Sequence, residues 1–131
     1  MIKLDIAARN YEADAKIRDY VEEKIGGLDR FLPRHVRSVV GGQVLLEEDA
    51  SGREDNRFVC EAVITVAGTT LVCREGTLNM YAAVDIVVAK LKSQMTTYKD
   101  KHLARTRRRR LFSRLLRRGI EPMPVEPTAS E

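Results

Sequence analysis

The segment FVCEAVITVAGTTLVCR, residues 58–74, is a β-hairpin spelled out by alternation. Phe58, Cys60, Ala62, Ile64 and Val66 interleave with Arg57, Glu61 and Thr65, the two-residue period of a strand with one buried face. Ala67-Gly68 supplies a two-residue turn, and Thr69 to Arg74 returns as the next strand.

On the C-terminal side, Glu75 to Leu78 reads as a short break, and Asn79 can cap a helix. Met80, Val84, Val87, Leu91, Met95 and Tyr98 then share one helical stripe that continues at least to Lys101. On the N-terminal side, Glu48 to Asn56 is a polar turn containing Gly52, preceded by a β-branched strand from Val36 to Glu47. Gly41-Gly42 inside that strand suggests a bulge or bend. Further upstream, Asp14 is a plausible N-cap for a helix with Ile17, Tyr20, Val21, Ile25 and Leu28 on its apolar side. Gly26-Gly27 weakens the helix late, Leu28 to Leu32 forms a final turn, and Pro33 ends it. Ile2 to Ala7 alternates as a first strand, with Arg9-Asn10-Tyr11 as the connection.

The order is thus β-α-β-β-β-α. Short turns make the last three strands an antiparallel meander, and the first helix is long enough to cross over, so the first two strands are expected to run parallel. The expected fold is α+β: two layers, a four-stranded mixed sheet with both helices packed on one face.

The 131 residues suit a single domain able to bury a core without staples. No apolar run approaches the roughly 20 residues of a membrane span, and the charged, alternating N-terminus does not resemble a secretory signal. Two cysteines, Cys60 and Cys73, form no disulfide framework, and both are expected to be buried, reduced thiols in a cytoplasmic protein.

Charge is strongly segregated. Lys90 to Arg118 holds 12 Lys/Arg and one acid, Asp100, whereas the rest of the chain holds 11 basic and 18 acidic residues. An acidic body with so basic a C-terminal third points to a polyanionic partner. With Leu91 at the centre of the buried stripe, Lys92 and Lys99 fall about 100° to one side and Lys90 and Lys101 about as far to the other. Their stems can cover the apolar stripe while their ammonium groups reach outward, which suits rows of phosphates better than base edges.

Signals for catalysis are close to absent. His35 and His102 have no ligand partner at metal spacing, the paired acids fall on turns or solvent faces, and neither Gly-Gly pair belongs to a phosphate loop. Four Tyr, three Phe and no Trp provide little platform for stacking single-stranded bases. No enzyme activity, metal or cofactor is expected.

The stretch Asn79-Met80-Tyr81-Ala82-Ala83-Val84-Asp85, with Lys90-Leu91-Lys92-Ser93-Gln94-Met95 and Tyr98-Lys99, resembles the second helix of the bacterial ribosome hibernation-promoting factors, the ribosome-associated translation inhibitors. Arg9-Asn10-Tyr11-Glu12 and Ile17 to Ile25 are similar to the opening of that family, and the likeness covers about residues 1–103. It implies a ribosome-binding domain over 1–103; beyond it, composition marks an Arg-rich basic extension over 104–118 and a Pro/Glu/Ser stretch over 119–131 expected to be a disordered tail or linker. It also implies binding to the small ribosomal subunit and to intact ribosomes, against 16S rRNA in the mRNA/tRNA channel. Occupancy there would compete with mRNA and tRNA, block translation and preserve idle ribosomes under stress or in stationary phase.

By position, the rRNA contacts implied are Lys90, Lys92, Lys99 and Lys101, with Arg9 and Lys24, and the tract Arg105, Arg107, Arg108, Arg109 and Arg110 as an addition. Asn79 replaces the usual Asp and Asp14 the usual Thr, both still caps, while Ser93 and Thr97 stand where the family often has basic residues. Two other readings fit the charge: a generic binder of double-stranded or structured RNA, and a basic amphipathic helix at a membrane surface formed by Leu111, Phe112, Leu115 and Leu116 with the neighbouring arginines. The RNA readings are preferred, with no membrane partner. The Arg105–Arg118 tract is expected to be poorly ordered when free, because its like charges repel.

Overall fold

The computed structural model describes residues 1–50, 56–117 and 119. The elements are β1 (Lys3–Arg9), α1 (Ala15–Gly26), two 3-10 segments (Gly27–Phe31 and Arg34–Val39), β2 (Val40–Glu48), β3 (Phe58–Val66), β4 (Thr69–Thr77) and α2 (Met80–Arg117). The sheet order is β1-β2-β3-β4. β1 runs parallel to β2, and the other pairs are antiparallel. This is the α+β mixed sheet expected from the hairpin and its flanks.

Local chemistry sets the ends. Asp14 accepts a hydrogen bond from the Ile17 amide at 3.0 Å and so caps α1. Asn79 Oδ1 accepts from the Tyr81 amide at 2.8 Å and starts α2. In the β3–β4 turn, Ala67 and Gly68 have φ of 44° and 85°, the doubly positive pair that matches hairpin twist.

One core joins the layers. Val44 and Leu46 of β2, Cys60, Ala62, Ile64 and Val66 of β3 and Cys73 of β4 pack with Ile17, Val21 and Ile25 of α1 and with Met80, Ala83, Val84, Val87, Leu91 and Met95 of α2. Both thiols are free and buried, as expected. Burial pushes the Cys60 pKa up to about 12, with the neighbouring Cys73 adding to it, and burial likewise raises Cys73.

The structure corrects several local expectations. Val36 to Val39 are not strand: Pro33 opens a 3-10 segment there, which turns Val36 into the core at 4% exposure. Gly41 and Gly42 make no bulge, for they pair in unbroken register with Thr65 and Ile64. Gly42 instead answers crowding, since a Cβ there would lie 2.5 Å from Ile64 Cδ1 and 2.9 Å from Leu4 Cδ2. The expected break after Arg74 is strand as far as Thr77, with Gly76 paired to Val59. Arg9 belongs to β1 rather than to a connection.

By its internal contacts the chain divides into two compact units, Met1–Lys99 and Asp100–Glu131. The basic tract, expected to be poorly ordered, is helical through Arg117. Nothing between Met80 and Arg117 is Gly or Pro, and Arg and Leu are strong helix formers, whereas like-charge pairs on an exposed helix cost only tenths of a kcal/mol each, on the order of 0.2–0.5. The polar turn at Gly52, Arg118 and the tail from 120 onward lie outside the described residues.

Candidate nucleic-acid interface

The functional residues are sorted by which side of the two layers they occupy. On the outer sheet face, Arg9 Nη1 lies 3.4 Å from Glu47 Oε2, and Arg74 bonds both Glu47 and Glu61 at 3.1 Å. These four residues form a charge ladder across the sheet. Arg9 is therefore neutralised on the face opposite the helices and is not brought together with the α2 lysines.

On the helical face, α1 carries Lys16, Tyr20 and Lys24 at successive i, i+4 positions, one row along the helix. α2 presents Tyr81, Asp85, Val88 and Lys92 at similar spacing. The rows meet. Tyr20 and Tyr81 pack edge to face with centroids 5.1 Å apart, and the Tyr20 hydroxyl donates to Asp85 Oδ1. That hydrogen bond, then burial, pushes the Tyr20 pKa up to about 12, so the phenol keeps its proton.

Cations lie on the rings. Lys16 Nζ is 5.9 Å from the Tyr81 centroid and Lys24 Nζ 5.7 Å from that of Tyr20. Phe31, at the end of the first 3-10 segment, holds the Arg30 guanidinium at 4.8 Å and Lys92 Nζ at 4.9 Å. The Arg37 side chain donates to the carbonyls of Leu32 and Arg30 at 3.1 and 3.2 Å and fixes that corner.

Of the residues proposed from sequence, Lys24 and Lys92 reach this seam. Lys90 lies on the other side of the α2 stripe, as expected, but pairs with Glu75 at 2.6 Å, and that hydrogen bond raises its pKa. Lys99 is half-buried and lies seven residues on from Lys92, on the same side of α2. Lys101, Arg105, Arg107, Arg108, Arg109 and Arg110 are exposed in the second unit. There Arg109, Arg110, Ser113, Arg114 and Arg117 line a cationic concavity of about 290 Å³.

Sequence reasoning missed Lys16, Arg30 and the three rings. The Lys16-Tyr20-Lys24 spacing is visible in the sequence, but helical periodicity also places Tyr20 on the apolar stripe. Among the described residues, no group of three or more His, Cys, Asp or Glu could hold a metal ion, no buried side-chain polar atom lacks a partner, and no helix is long and apolar enough to cross a membrane.

Fold and site together define a small two-layer α+β domain whose helical face carries Lys16, Lys24, Arg30 and Lys92 over aromatic rings. The chain belongs to the Sigma 54 modulation protein / S30EA ribosomal protein family, whose pattern matches residues 4–103. The resemblance read from the second helix is thereby borne out. The ribosome hibernation promotion factor of Lactococcus lactis subsp. cremoris (strain MG1363) is 32% identical over 101 residues, 77% of this chain and 51% of that one. The ribosome hibernation promoting factor of Azotobacter vinelandii is 29% identical over 104 residues, 79% of this chain and 89% of that one. This chain thus spans about half the length of the first relative and most of the second. The crystal structure of the Thermus thermophilus Protein Y N-terminal domain matches with a TM-score of 0.62 at 26% identity, over 75% of this chain and 99% of that one.

Proposed function

We propose that this chain is a ribosome hibernation factor of the cytoplasm. It binds the small ribosomal subunit in the mRNA/tRNA channel, against 16S rRNA, and keeps ribosomes idle by occupying the place of their substrates. The observation that carries this is the combination of family membership over residues 4–103 with positive charge gathered on α2. Phosphate neutralisation needs no sequence reading and no catalytic group. The helical face supplies lysines on a rigid support, and the exposed arginines of the second unit add cations for the same polyanion. No step of this function requires a metal or cofactor.

Sedimentation through a sucrose gradient tests it. The purified chain is expected to travel with small subunits and intact ribosomes, not with large subunits alone, and to be displaced by excess tRNA. Migration with the large subunit, or with neither, would refute the proposal. Preferential binding to an isolated RNA duplex over ribosomes would favour the generic RNA-binding alternative.

A further inference from the structure

We propose that the seam between α1 and α2 is a pre-set grip for a sugar-phosphate strand, in which Tyr81, Tyr20 and Phe31 act as positioning residues that hold Lys16, Lys24, Arg30 and Lys92. The proposal rests on the ribosome-binding function above and names how that surface engages RNA.

Four cations from three separate segments converge on three rings. Lys16 and Lys24 are one turn either side of Tyr20, and each lies over a ring of the Tyr20–Tyr81 pair. Arg30 and Lys92, from different elements, share Phe31 at nearly equal distances. The rings are themselves fixed: Tyr20, Phe31 and Tyr81 are half-buried against the core, and Tyr20 is tied to Asp85. Tyr81 and Lys92 are eleven residues apart on one helix, so the row extends roughly 16 Å along the seam.

A free lysine side chain must lose rotamer freedom when it engages a phosphate. A ring that already holds the stem and ammonium removes part of that loss before binding. Because the cations cover the rings, nucleobases are denied those faces, so the strand is gripped by its backbone without sequence preference. Two acids act on the Tyr20 phenol: Asp85, which accepts its hydrogen bond, and Glu23, which acts on it electrostatically. Against these the row sets four cations.

The test is ribosome co-sedimentation over a salt series, with full-length variants whose folding is checked by thermal melting. Replacing Lys16, Lys24, Arg30 and Lys92 one at a time by Gln is expected to flatten the plot of log affinity against log salt by about 0.7–0.9 each. Tyr81→Leu and Phe31→Leu leave the charge untouched. They are expected to weaken binding about two- to fivefold at constant salt slope. Tyr81→Phe, which keeps the ring, is expected to bind as the parent does. If the Gln variants keep the parental slope, or the Leu variants keep the parental affinity, the seam is not the grip, although the chain still binds ribosomes. If Phe31→Leu melts early, Arg30→Gln and Tyr81→Leu carry the test alone. A parent chain that fails to bind ribosomes refutes the function proposed above and this inference with it.

Discussion

Changing Lys90, Lys92, Lys99 and Lys101 together to Glu should separate binding from folding. None of the four belongs to the hydrophobic cluster, whereas Leu91, between the first two, is fully buried. Far-UV circular dichroism of the four-Glu variant is expected to match the parent. Leu91→Ala, with no change in charge, should instead lose about 2–5 kcal/mol in urea unfolding, the range for truncating a buried leucine. Binding should show the reverse order. Each phosphate contact contributes about 0.7–0.9 to the slope of log affinity against log salt, so loss of Lys92, Lys99 and Lys101 flattens it by about 2–3, Lys90 adding less because Glu75 already pairs with it, while Leu91→Ala keeps the parental slope wherever it is folded. The lysines are not equivalent. Lys90 already has Glu75 at 2.6 Å, whereas Lys92 is held on the Phe31 ring. Restoring Lys92 to the four-Glu variant should therefore recover more affinity than restoring Lys90. A folded four-Glu variant that sediments with ribosomes at the parental salt slope would refute the assignment of α2 as the binding face.

Other outcomes follow from single positions. Gly42→Ala should destabilise by about 1–3 kcal/mol, because its Cβ meets Ile64 and Leu4, while Gly41→Ala, with nothing within 4 Å, should stabilise by about 0.4–1 kcal/mol; urea midpoints decide both. Ala67→Asn should raise the melting temperature, since Ala at φ 44° carries strain, on the order of 1 kcal/mol, that Asn tolerates better. Tyr20 has a folded pKa raised from 10.0 to about 12, so its stabilising contribution is complete below pH 10 and is lost as pH rises toward 12. Burial also raises the Tyr11 phenol, so tyrosinate absorbance should show late-titrating phenols of which Tyr20→Phe removes the latest and Asp85→Asn brings it earlier. At pH 8 a thiol reagent should label Cys60 and Cys73 only after unfolding, since burial raises both thiols.

The hairpin, the crossover and both caps were legible because their signals are local. Alternation from Phe58 to Val66, a turn residue with no Cβ at Gly68, and carboxylate or amide side chains at Asp14 and Asn79 each act within four residues. What stayed hidden depends on neighbours far along the chain. Gly42 looked like a bend because glycine in a strand has two uses, and only the closeness of Leu4 and Ile64 shows which applies. Val36 looked like strand because β-branching outvotes a single proline in a local count, yet Pro33 sets the backbone at that corner. In the Arg tract, charge repulsion argues for disorder and helix propensity for helix, and the helix prevails through Arg117.

The same distinction governs the site. Lys90 and Lys92 are symmetric about Leu91 on a helical wheel, and nothing within α2 separates them. β4 brings Glu75 to one, and the corner after α1 brings Phe31 to the other. The first arrangement neutralises a cation locally, whereas the second orients a cation and leaves its charge for a partner. Arg9 shows the limit of reading charge by position: in sequence it belongs to the basic set, but the sheet pairs it with Glu47, on a face the helices do not share. A count of Lys and Arg therefore marks the basic region on which the proposed function rests, and packing then separates a carboxylate-paired cation such as Lys90 from a ring-held one such as Lys92. At the proposed α1–α2 grip, four cations are held in this second way.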